Sequence, residues 1–184
     1  MGEVPGNSPL FASLAGAAQY HYDVVESLKP YFNPESQYSV SRVDAFSEPR
    51  IVVRPADYIK ETDLRSSLAI LTSIEAAFHL DYLFRSHQNG PKDDLSKAFR
   101  AIRKSGNTKP RLDLDPDLLD AWTKHASGAR WLIGELPGAF KYRHWLAHGR
   151  YWTPQLGRKY DFEFLYRLAD AVFCTLPLFG LNEA

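Results

Sequence analysis

Apolar residues at helical spacing between positions 62 and 86 constrain the fold of this 184-residue chain more than any other feature. The members of this stripe are Leu64, Leu68, Leu71, Phe78 and Tyr82. Residues three or four apart share one face of an α-helix. The sequence therefore predicts a long helix that Thr62 or Asp63 caps and that ends at about Ser86, before Asn89-Gly90-Pro91.

Further helices are predicted on both sides of this long helix. They are expected at positions 10–28, 92–104, 115–125, 129–148 and from 162 to shortly before Pro177. Pro30 is expected to end the first of them, and Pro137 is expected to break or bend the helix at 129–148. Asp161 suits the cap of the last helix, whose apolar residues are Phe162, Leu165, Leu168, Ala169 and Val172.

Residues 31–60 differ in character from the rest of the chain. Positions 37–43 partly alternate between polar and apolar side chains, and positions 50–54 read as a short strand between prolines. We therefore expect an all-α bundle of four to five main helices, preceded by an N-terminal helix and a short irregular or β-hairpin extension. Residues 1–60 would form the packed N-terminal helix and extension, and residues 61–184 the bundle.

Charge and cysteine content limit the classes of function. Lys and Arg number 22 and Asp and Glu number 22, so a contact with nucleic acid has to come from a local basic patch. Cys174 is the only cysteine and lies in an apolar run, which predicts a buried thiol. The sequence has neither a basic leader followed by an apolar core nor a run of about 20 apolar residues. A soluble cytoplasmic protein without a membrane partner is expected.

An arginine and two histidines lie close together near the C-terminus. The segment reads Arg143-His144-Trp145-Leu146-Ala147-His148-Gly149. Arginine binds phosphate without losing its charge, and histidine transfers protons near neutral pH. Gly149 is suited to the left-handed position after a helix end. The combination points to phosphodiester chemistry.

The histidines have two other interpretations. His144 and His148 share a helical face and form half of a zinc site, but Trp145 stands where a zincin has glutamate, and no third ligand lies nearby. We therefore expect no metal and no cofactor. The simpler interpretation is that His148 caps the helix end, where positive charge is favoured. It leaves the arginine and the second histidine unexplained.

The spacing of the motif sets a geometric condition. Arg143 and His148 are five residues apart, which is about 7.5 Å of rise and about 140° of rotation on an ideal helix. The two side chains do not share a face. A site that uses both would need a bent helix end or a second subunit.

The pattern at positions 143–148 resembles the defining motif of the HEPN superfamily, which is arginine, a polar residue, three further residues and histidine. Here it reads Arg143-His144-Trp145-Leu146-Ala147-His148. Long helices before the motif and one closing helix after it are also similar to that family's helical bundle. The resemblance covers residues 62–176 approximately. It implies a HEPN-like bundle and a metal-independent endoribonuclease of a toxin–antitoxin, phage-defence or CRISPR system.

The resemblance also implies roles for individual residues. Arg143 would hold the scissile phosphate, His148 would act as general base or acid, and His144 would orient them. Which of the two histidines transfers the proton stays open. The expected partners are RNA, a second copy of the chain whose motif faces the first, and an antitoxin or defence-system protein.

Two alternatives to catalysis remain at this point. One is a non-catalytic HEPN-like module that binds RNA, a nucleotide or a protein. The other is a helical interaction protein in which Arg143 and His148 only satisfy carbonyl groups at helix ends.

Glu75 falls within the apolar stripe of the long helix. A carboxylate there needs a partner, because burial of an unpaired charge is costly. We predict that Glu75 pairs with Arg143 and directs its guanidinium toward a dimer cleft. The alternative is a solvated Glu75 at a wet edge of the stripe.

Basic and aromatic residues flank the motif and are predicted to bind RNA. They are Arg150, Tyr151, Trp152, Arg158 and Lys159. Trp152 would stack on a base or, alternatively, serve the core or a dimer contact. Arg100, Arg103 and Lys104 share another helical face, which either follows an RNA backbone or is only a solvated surface.

Overall fold

The computed structural model of the chain describes residues 14–33, 35, 54–104 and 114–179. The main elements are α1 (Leu14–Phe32), α2 (Pro55–Ser86), α3 (Asp94–Lys104), α4 (Leu119–His125), α5 (Arg130–Ala147) and α6 (Phe162–Thr175). A π-helical turn at Leu114–Leu118 precedes α4, and a 3₁₀ turn at Ser127–Ala129 precedes α5. The described ranges contain no β-strand, so the predicted all-α class is confirmed for them.

Helix α2 lies at the centre of the fold. It has 32 residues and packs against α1, α3, α5 and α6. Four of its side chains have no exposed surface: Ile70, Leu71, Ile74 and Phe78. From the predicted stripe, Leu71, Phe78 and Tyr82 are buried, whereas Leu64 and Leu68 pack at the edge of the core. The stripe is confirmed as the side of α2 that faces other helices.

The predicted start of α2 is wrong, and its predicted end is confirmed. The helix begins at Pro55, and the backbone N–H of Arg54 donates to the Asp57 carboxylate at 3.2 Å. Thr62 lies inside the helix, where its hydroxyl donates to the carbonyl of Tyr58 at 2.9 Å. Proline at a first helical position is favourable because its missing N–H would be unpaired there in any case.

The prediction that Pro30 ends the first helix is wrong, and Pro137 does not break α5. Helix α1 continues through Pro30 to Phe32, and α5 continues through Pro137 without interruption. That Pro137 bends α5 stays a prediction. Pro30 lies in the last turn, two residues before its helix ends. In α5 the adjacent Leu136 and Ala139 are fully buried, and their packing offsets the missing hydrogen bond of Pro137.

Gly138 permits a close approach between α5 and the loop that follows it. A Cβ atom at this position would collide with the hydroxyl group of Tyr160. Tyr160 is buried and stacks on Tyr142 of α5, with ring centroids 5.4 Å apart. The glycine therefore holds the loop after α5 against the helix that carries the motif.

The predictions for α6 are confirmed in detail. The Asp161 carboxylate accepts a hydrogen bond from the backbone N–H of Phe164 at 3.0 Å, as an N-cap does. The buried residues of α6 are the five that the spacing indicated: Phe162, Leu165, Leu168, Ala169 and Val172. The helix ends at Thr175, two residues before Pro177.

The prediction of a buried Cys174 is wrong, because the thiol is exposed. Cys174 follows Val172, a fully buried residue, by two positions, which is about 200° around the helix axis. Its sulfur therefore points away from the core and lies 3.8 Å from the Asp170 carboxylate. An apolar run contains residues of both helix faces, and the run alone does not distinguish them.

Helix α1 packs against α2 and α6. The ring of His21 is buried and stacks on Phe162 at a centroid distance of 3.6 Å. The segments predicted as a hairpin, 37–43 and 50–53, lie outside the described residues. Division of the chain into residues 1–60 and 61–184 stays a prediction, and α2 spans that boundary.

A buried arginine joins the C-terminal part of α2 to α3 and to the chain after α6. Nε of Arg85 donates to Asp81 at 2.8 Å, and Nη1 donates to Asp93 at 2.9 Å. Nη2 donates to the carbonyl of Pro177 at 2.7 Å. Its guanidinium carbon also lies 4.5 Å from the ring centroid of Phe179. Arg85 therefore fixes three segments of the chain with one side chain.

The Asp81 carboxylate is fully buried beside Arg85. Burial raises the pKa of Asp81, although hydrogen bonds from Phe179 and Arg85 favour the charged form. Removal of one member of a buried ion pair leaves the other charge without compensation, which costs more than the pair contributes.

We expect Asp81→Asn to lower the free energy of unfolding by about 3 kcal/mol, because Arg85 loses its most buried partner. Urea unfolding monitored by far-UV circular dichroism measures the loss. Asp94→Asn is the matched control: Asp94 is exposed and pairs only with Lys97, so its substitution should leave stability almost unchanged. Equal stability of the two variants would show that the buried network is not a major source of stability.

Candidate functional site

The motif occupies the last turn of α5. The helix ends at Ala147, and His148 is its C-cap, with the backbone N–H donating to the carbonyl of His144 at 3.1 Å. Gly149 follows with φ of 86°, so its predicted left-handed conformation is confirmed. The chain therefore leaves the helix directly after the motif histidine.

Arg143 forms an ion pair with Glu75, as the sequence predicts. Nη2 of Arg143 lies 2.8 Å from Oε2 of Glu75, and the two side chains are 28% and 15% exposed. Nε of Arg143 is buried and donates no hydrogen bond to any described residue. Contact with α2 thus orients the guanidinium but leaves part of it accessible to a ligand. That Glu75 directs it toward a dimer cleft stays a prediction.

His79 belongs to the same cluster, although sequence reasoning did not select it. Its Nε2 lies 4.0 Å from Oε1 of Glu75, one turn away on α2. Glu75 therefore has a cationic arginine beside one oxygen and an imidazole near the other. The i,i+4 spacing of Glu75 and His79 was the only sequence signal for this neighbour.

His144 and His148 lie together on another side of α5. Their ring centroids are 4.2 Å apart with an interplanar angle of 46°, and both residues are exposed. The ring of Trp152 lies 6.1 Å from that of His144. The rings of His144 and Trp152 border a groove of about 370 Å³, whose lining residues are Phe140, Lys141, His144, Trp152, Gln155 and Leu156.

The loop after the motif is held by aromatic contacts. The indole N–H of Trp145 donates to the carbonyl of Trp152 at 2.7 Å. Tyr142 is buried between Trp145 and Tyr160, with ring centroids at 5.6 and 5.4 Å. These contacts fix the position of Trp152 relative to the two histidines.

Arg143 and the histidine pair make different contacts. In the described structure, no hydrogen bond or ion pair joins Arg143 to His144 or His148. Arg143 contacts α2, whereas His144 borders the groove with Trp152, and His148 lies against His144. The observed arrangement agrees with the helical spacing, which places the two groups on different faces of α5.

Both arginines next to the motif that are predicted to bind RNA form ion pairs with glutamates. Arg150 donates to both oxygens of Glu61, at 2.7 and 3.1 Å. Arg158 donates to Glu135 at 2.8 Å and lies over the ring of Phe164 at 3.9 Å. Each pair reduces the positive charge next to the motif.

The other predicted RNA-binding residues differ in exposure. Tyr151 is 85% exposed, Lys159 is exposed, and Trp152 is half-buried. Contact of these residues with RNA stays a prediction. Of the three, the exposed ring of Tyr151 presents the largest apolar surface to a base.

Arg150 adopts an uncommon backbone conformation, with φ of 57°. A left-handed conformation costs about 1–2 kcal/mol for a residue with a Cβ atom. The two hydrogen bonds to Glu61 hold Arg150 there and lower the pKa of Glu61. Because that pKa is lowered, the pair stabilises the fold above the ordinary pKa of glutamate. Its contribution is lost as the pH falls through the lowered value.

The described residues contain neither a metal-binding cluster nor a membrane-spanning helix. No group of three or more His, Cys, Asp or Glu side chains in these residues is arranged to hold a metal ion. Nor is any described helix both long enough and apolar enough to cross a membrane.

Comparison with known proteins returns no match: no family model, no curated protein and no solved structure resembles the chain significantly. The relation to HEPN proteins therefore stays a resemblance carried by the motif at positions 143–148 and the order of the helices.

Two replacements of Arg150 distinguish the energy of its ion pair from the energy cost of its positive φ. Arg150→Gly and Arg150→Ala both lose the contact with Glu61, but only alanine keeps the cost of positive φ. We expect the glycine variant to be more stable than the alanine variant by about 1 kcal/mol in urea unfolding. At Arg158, where φ is not positive, glycine should be no more stable than alanine. The strain at Arg150 is disproved if its two variants unfold at the same urea concentration.

Proposed function

We propose that this protein is a HEPN-type endoribonuclease that cleaves RNA without a metal ion, at a site completed by a second copy of the chain. The observation that carries the proposal is the contact between Arg143 and Glu75, which orients an accessible guanidinium beside the turn that carries two exposed histidines. A fixed arginine and nearby imidazoles are the groups that phosphodiester transfer requires.

The chemistry follows from these groups. The 2′-hydroxyl of the ribose attacks the adjacent phosphorus while one imidazole accepts its proton. The bond from phosphorus to the 5′-oxygen then breaks, and a protonated imidazole donates a proton to that oxygen. The products are a 2′,3′-cyclic phosphate and a 5′-hydroxyl end. Arg143 stabilises the negative charge that develops on the phosphate oxygens, His148 is the proposed proton-transfer group, and His144 orients it.

We infer a homodimer from the helical spacing of these groups. Arg143 and His148 are five residues apart, and no hydrogen bond or ion pair joins them in the described structure, so a second motif that approaches the first would let one phosphate meet both groups. The face of α2 next to Glu75 is suited to such an approach. It exposes residues that carry no charge: Thr72, Ala76, Leu80 and Leu83. Leu80 and Leu83 are 42% and 58% exposed, so this face offers apolar side chains to a partner.

The biological setting proposed for this activity is a toxin or phage-defence effector. A ribonuclease of this kind requires control, so an antitoxin or a defence-system protein is the proposed regulatory partner.

A non-catalytic HEPN-like module is the second candidate, which would bind RNA, a nucleotide or a protein. The same separation of Arg143 from His148 favours it if the chain is monomeric, because the site is then incomplete. Turnover of RNA distinguishes the two candidates.

We expect the purified protein to cleave a structured RNA in the presence of EDTA and to leave 2′,3′-cyclic phosphate ends. His148→Ala and Arg143→Ala should each lower the rate at least about 100-fold, because proton transfer or charge stabilisation is lost. His125→Ala is the control, since His125 is an exposed histidine at the end of α4. Gel analysis and end mapping measure the result, and activity that EDTA abolishes would contradict the metal-free mechanism.

Mixing of inactive variants tests the shared site. If Arg143 of one copy acts with His148 of the other, a dimer of Arg143→Ala with His148→Ala keeps one complete site. Random exchange should then restore about one quarter of the wild-type rate, because half of the dimers are mixed and each has one of two sites intact.

Leu83→Glu in both variants should prevent this recovery by disrupting the uncharged face of α2. Light scattering during size-exclusion chromatography measures the accompanying loss of dimer. No recovery from variants that still form mixed dimers would mean that each site lies within one chain.

A further inference from the structure

A second cluster of cationic side chains lies where α2 ends and α3 packs against it. The cluster surrounds a cleft of about 570 Å³, which we call the basic cleft. Its lining residues are Ser86, His87, Gln88, Arg100, Arg103 and Lys104. The motif arginine and histidines do not line it. It is therefore a site separate from the one described above.

The two arginines of the cleft are oriented by backbone carbonyls. Nη1 of Arg100 donates to the carbonyls of Arg85 and Pro91, at 3.0 and 2.9 Å. Nη1 of Arg103 donates to the carbonyl and hydroxyl oxygens of Ser86, at 3.5 and 3.3 Å. Both contacts offset the partial negative charge at the C-terminal end of α2.

These contacts use only one nitrogen of each guanidinium. Nε and Nη2 of Arg100 and Arg103 donate to no residue that the structure describes. An arginine held through one nitrogen keeps its other donors in a fixed orientation for a ligand. The carbonyl contacts thus position these guanidiniums without consuming their capacity to bind.

His87 adds a further donor. Its Nδ1 accepts a hydrogen bond from the backbone N–H of Asn89 at 3.3 Å. In the neutral ring the proton is then on Nε2, which makes that nitrogen a donor. Lys104, at the end of α3, adds an ammonium group that makes no ion pair with a described residue.

No carboxylate is among the described residues that line the cleft. The nearest acids in sequence are engaged elsewhere, since Asp93 pairs with Arg85 at 2.9 Å and Asp94 pairs with Lys97 at 2.8 Å. The cleft is therefore positive although the chain has no net charge. A concave, donor-rich surface of this kind selects anions.

The basic cleft and Arg143 lie along one side of α2. Arg143 contacts Glu75, and Arg103 contacts Ser86, eleven residues further along the helix. That interval is about 16 Å of rise and about 20° of rotation, so the two contact points share a face. A flexible polyanion bound at one of them can extend to the other.

We propose that the basic cleft binds phosphate groups of single-stranded RNA, in the segment next to the one that Arg143 contacts. The choice of RNA as the polyanion rests on the proposed ribonuclease function, whereas the anion site itself does not. The geometry of the cleft suits backbone contacts, because its described lining offers arginine, lysine and imidazole donors and contains no Phe, Tyr or Trp ring for a base.

Binding to a labelled single-stranded oligonucleotide with 2′-O-methyl groups tests the proposal without cleavage. Arg103→Gln combined with Lys104→Glu should weaken binding roughly tenfold in fluorescence anisotropy. It should also lower the slope of log K against log salt by about 1.4, as expected for two lost phosphate contacts. Lys97→Glu, on the same helix but outside the cleft, is the control and should bind like the wild type.

If the double variant does not fold, Lys104→Glu alone replaces it, because Lys104 is exposed at the end of α3. This single substitution should lower the slope by about half as much. Unchanged affinity and slope for a folded variant overturn the proposal. Cleavage is measured separately. If the wild type binds through the cleft but never cleaves RNA, the proposed nuclease function is refuted and the proposed role of the cleft is supported. If it cleaves RNA but its binding does not depend on the cleft, the nuclease function is supported and the role of the cleft is refuted.

Discussion

The packing of four helices around α2 is the constraint on which the rest of the structure depends. A helix of 32 residues is about 48 Å long and has to satisfy several neighbours along its length. Apolar residues supply most of that contact, and Ile70, Ile74 and Phe78 are fully enclosed. Every contact that defines the candidate site is made to α2 or to a helix packed on it. The position of the motif therefore depends on how α5 docks against this one helix.

Two arginine–carboxylate contacts on α2 show how burial separates a structural pair from a candidate functional one. Arg85 and Asp81 are almost completely enclosed, and Arg85 has protein partners for each of its nitrogens. Arg143 and Glu75 are also paired, but Arg143 keeps 28% of its side chain exposed. Each guanidinium nitrogen of Arg85 already has a protein partner, whereas Nε of Arg143 donates to no described residue. This difference supports a structural role for the first pair and a ligand-binding role for the second.

The sequence predictions are accurate where neighbouring residues determine the structure, and they fail where contacts between distant residues determine it. The cap of α6 at Asp161 and its buried face are predicted correctly because both signals are local, whereas the exposure of Cys174 is not predicted. The start of α2 is missed because Thr62 and Asp63 are acceptable caps by themselves, and because a strand predicted at 50–54 leaves Pro55 as a boundary and not as a first helical residue. Pro30 and Pro137 mislead for a related reason. A proline within a helix costs about 3 kcal/mol, and packing elsewhere along the helix can outweigh that cost.

The sequence by itself determined the motif and its place at a helix end before Gly149, and it predicted the pairing of Glu75 with Arg143 as one of two alternatives, which the structure then decided. These depend on periodicity and on the cost of an unpaired charge, which act within single helices or between their apolar faces. Only the tertiary structure decided that Glu61 engages Arg150 from 89 residues away. It also decided that the cations of α3 surround a cleft at the end of α2. Contacts of this kind arise from the relative placement of helices, which local spacing does not encode.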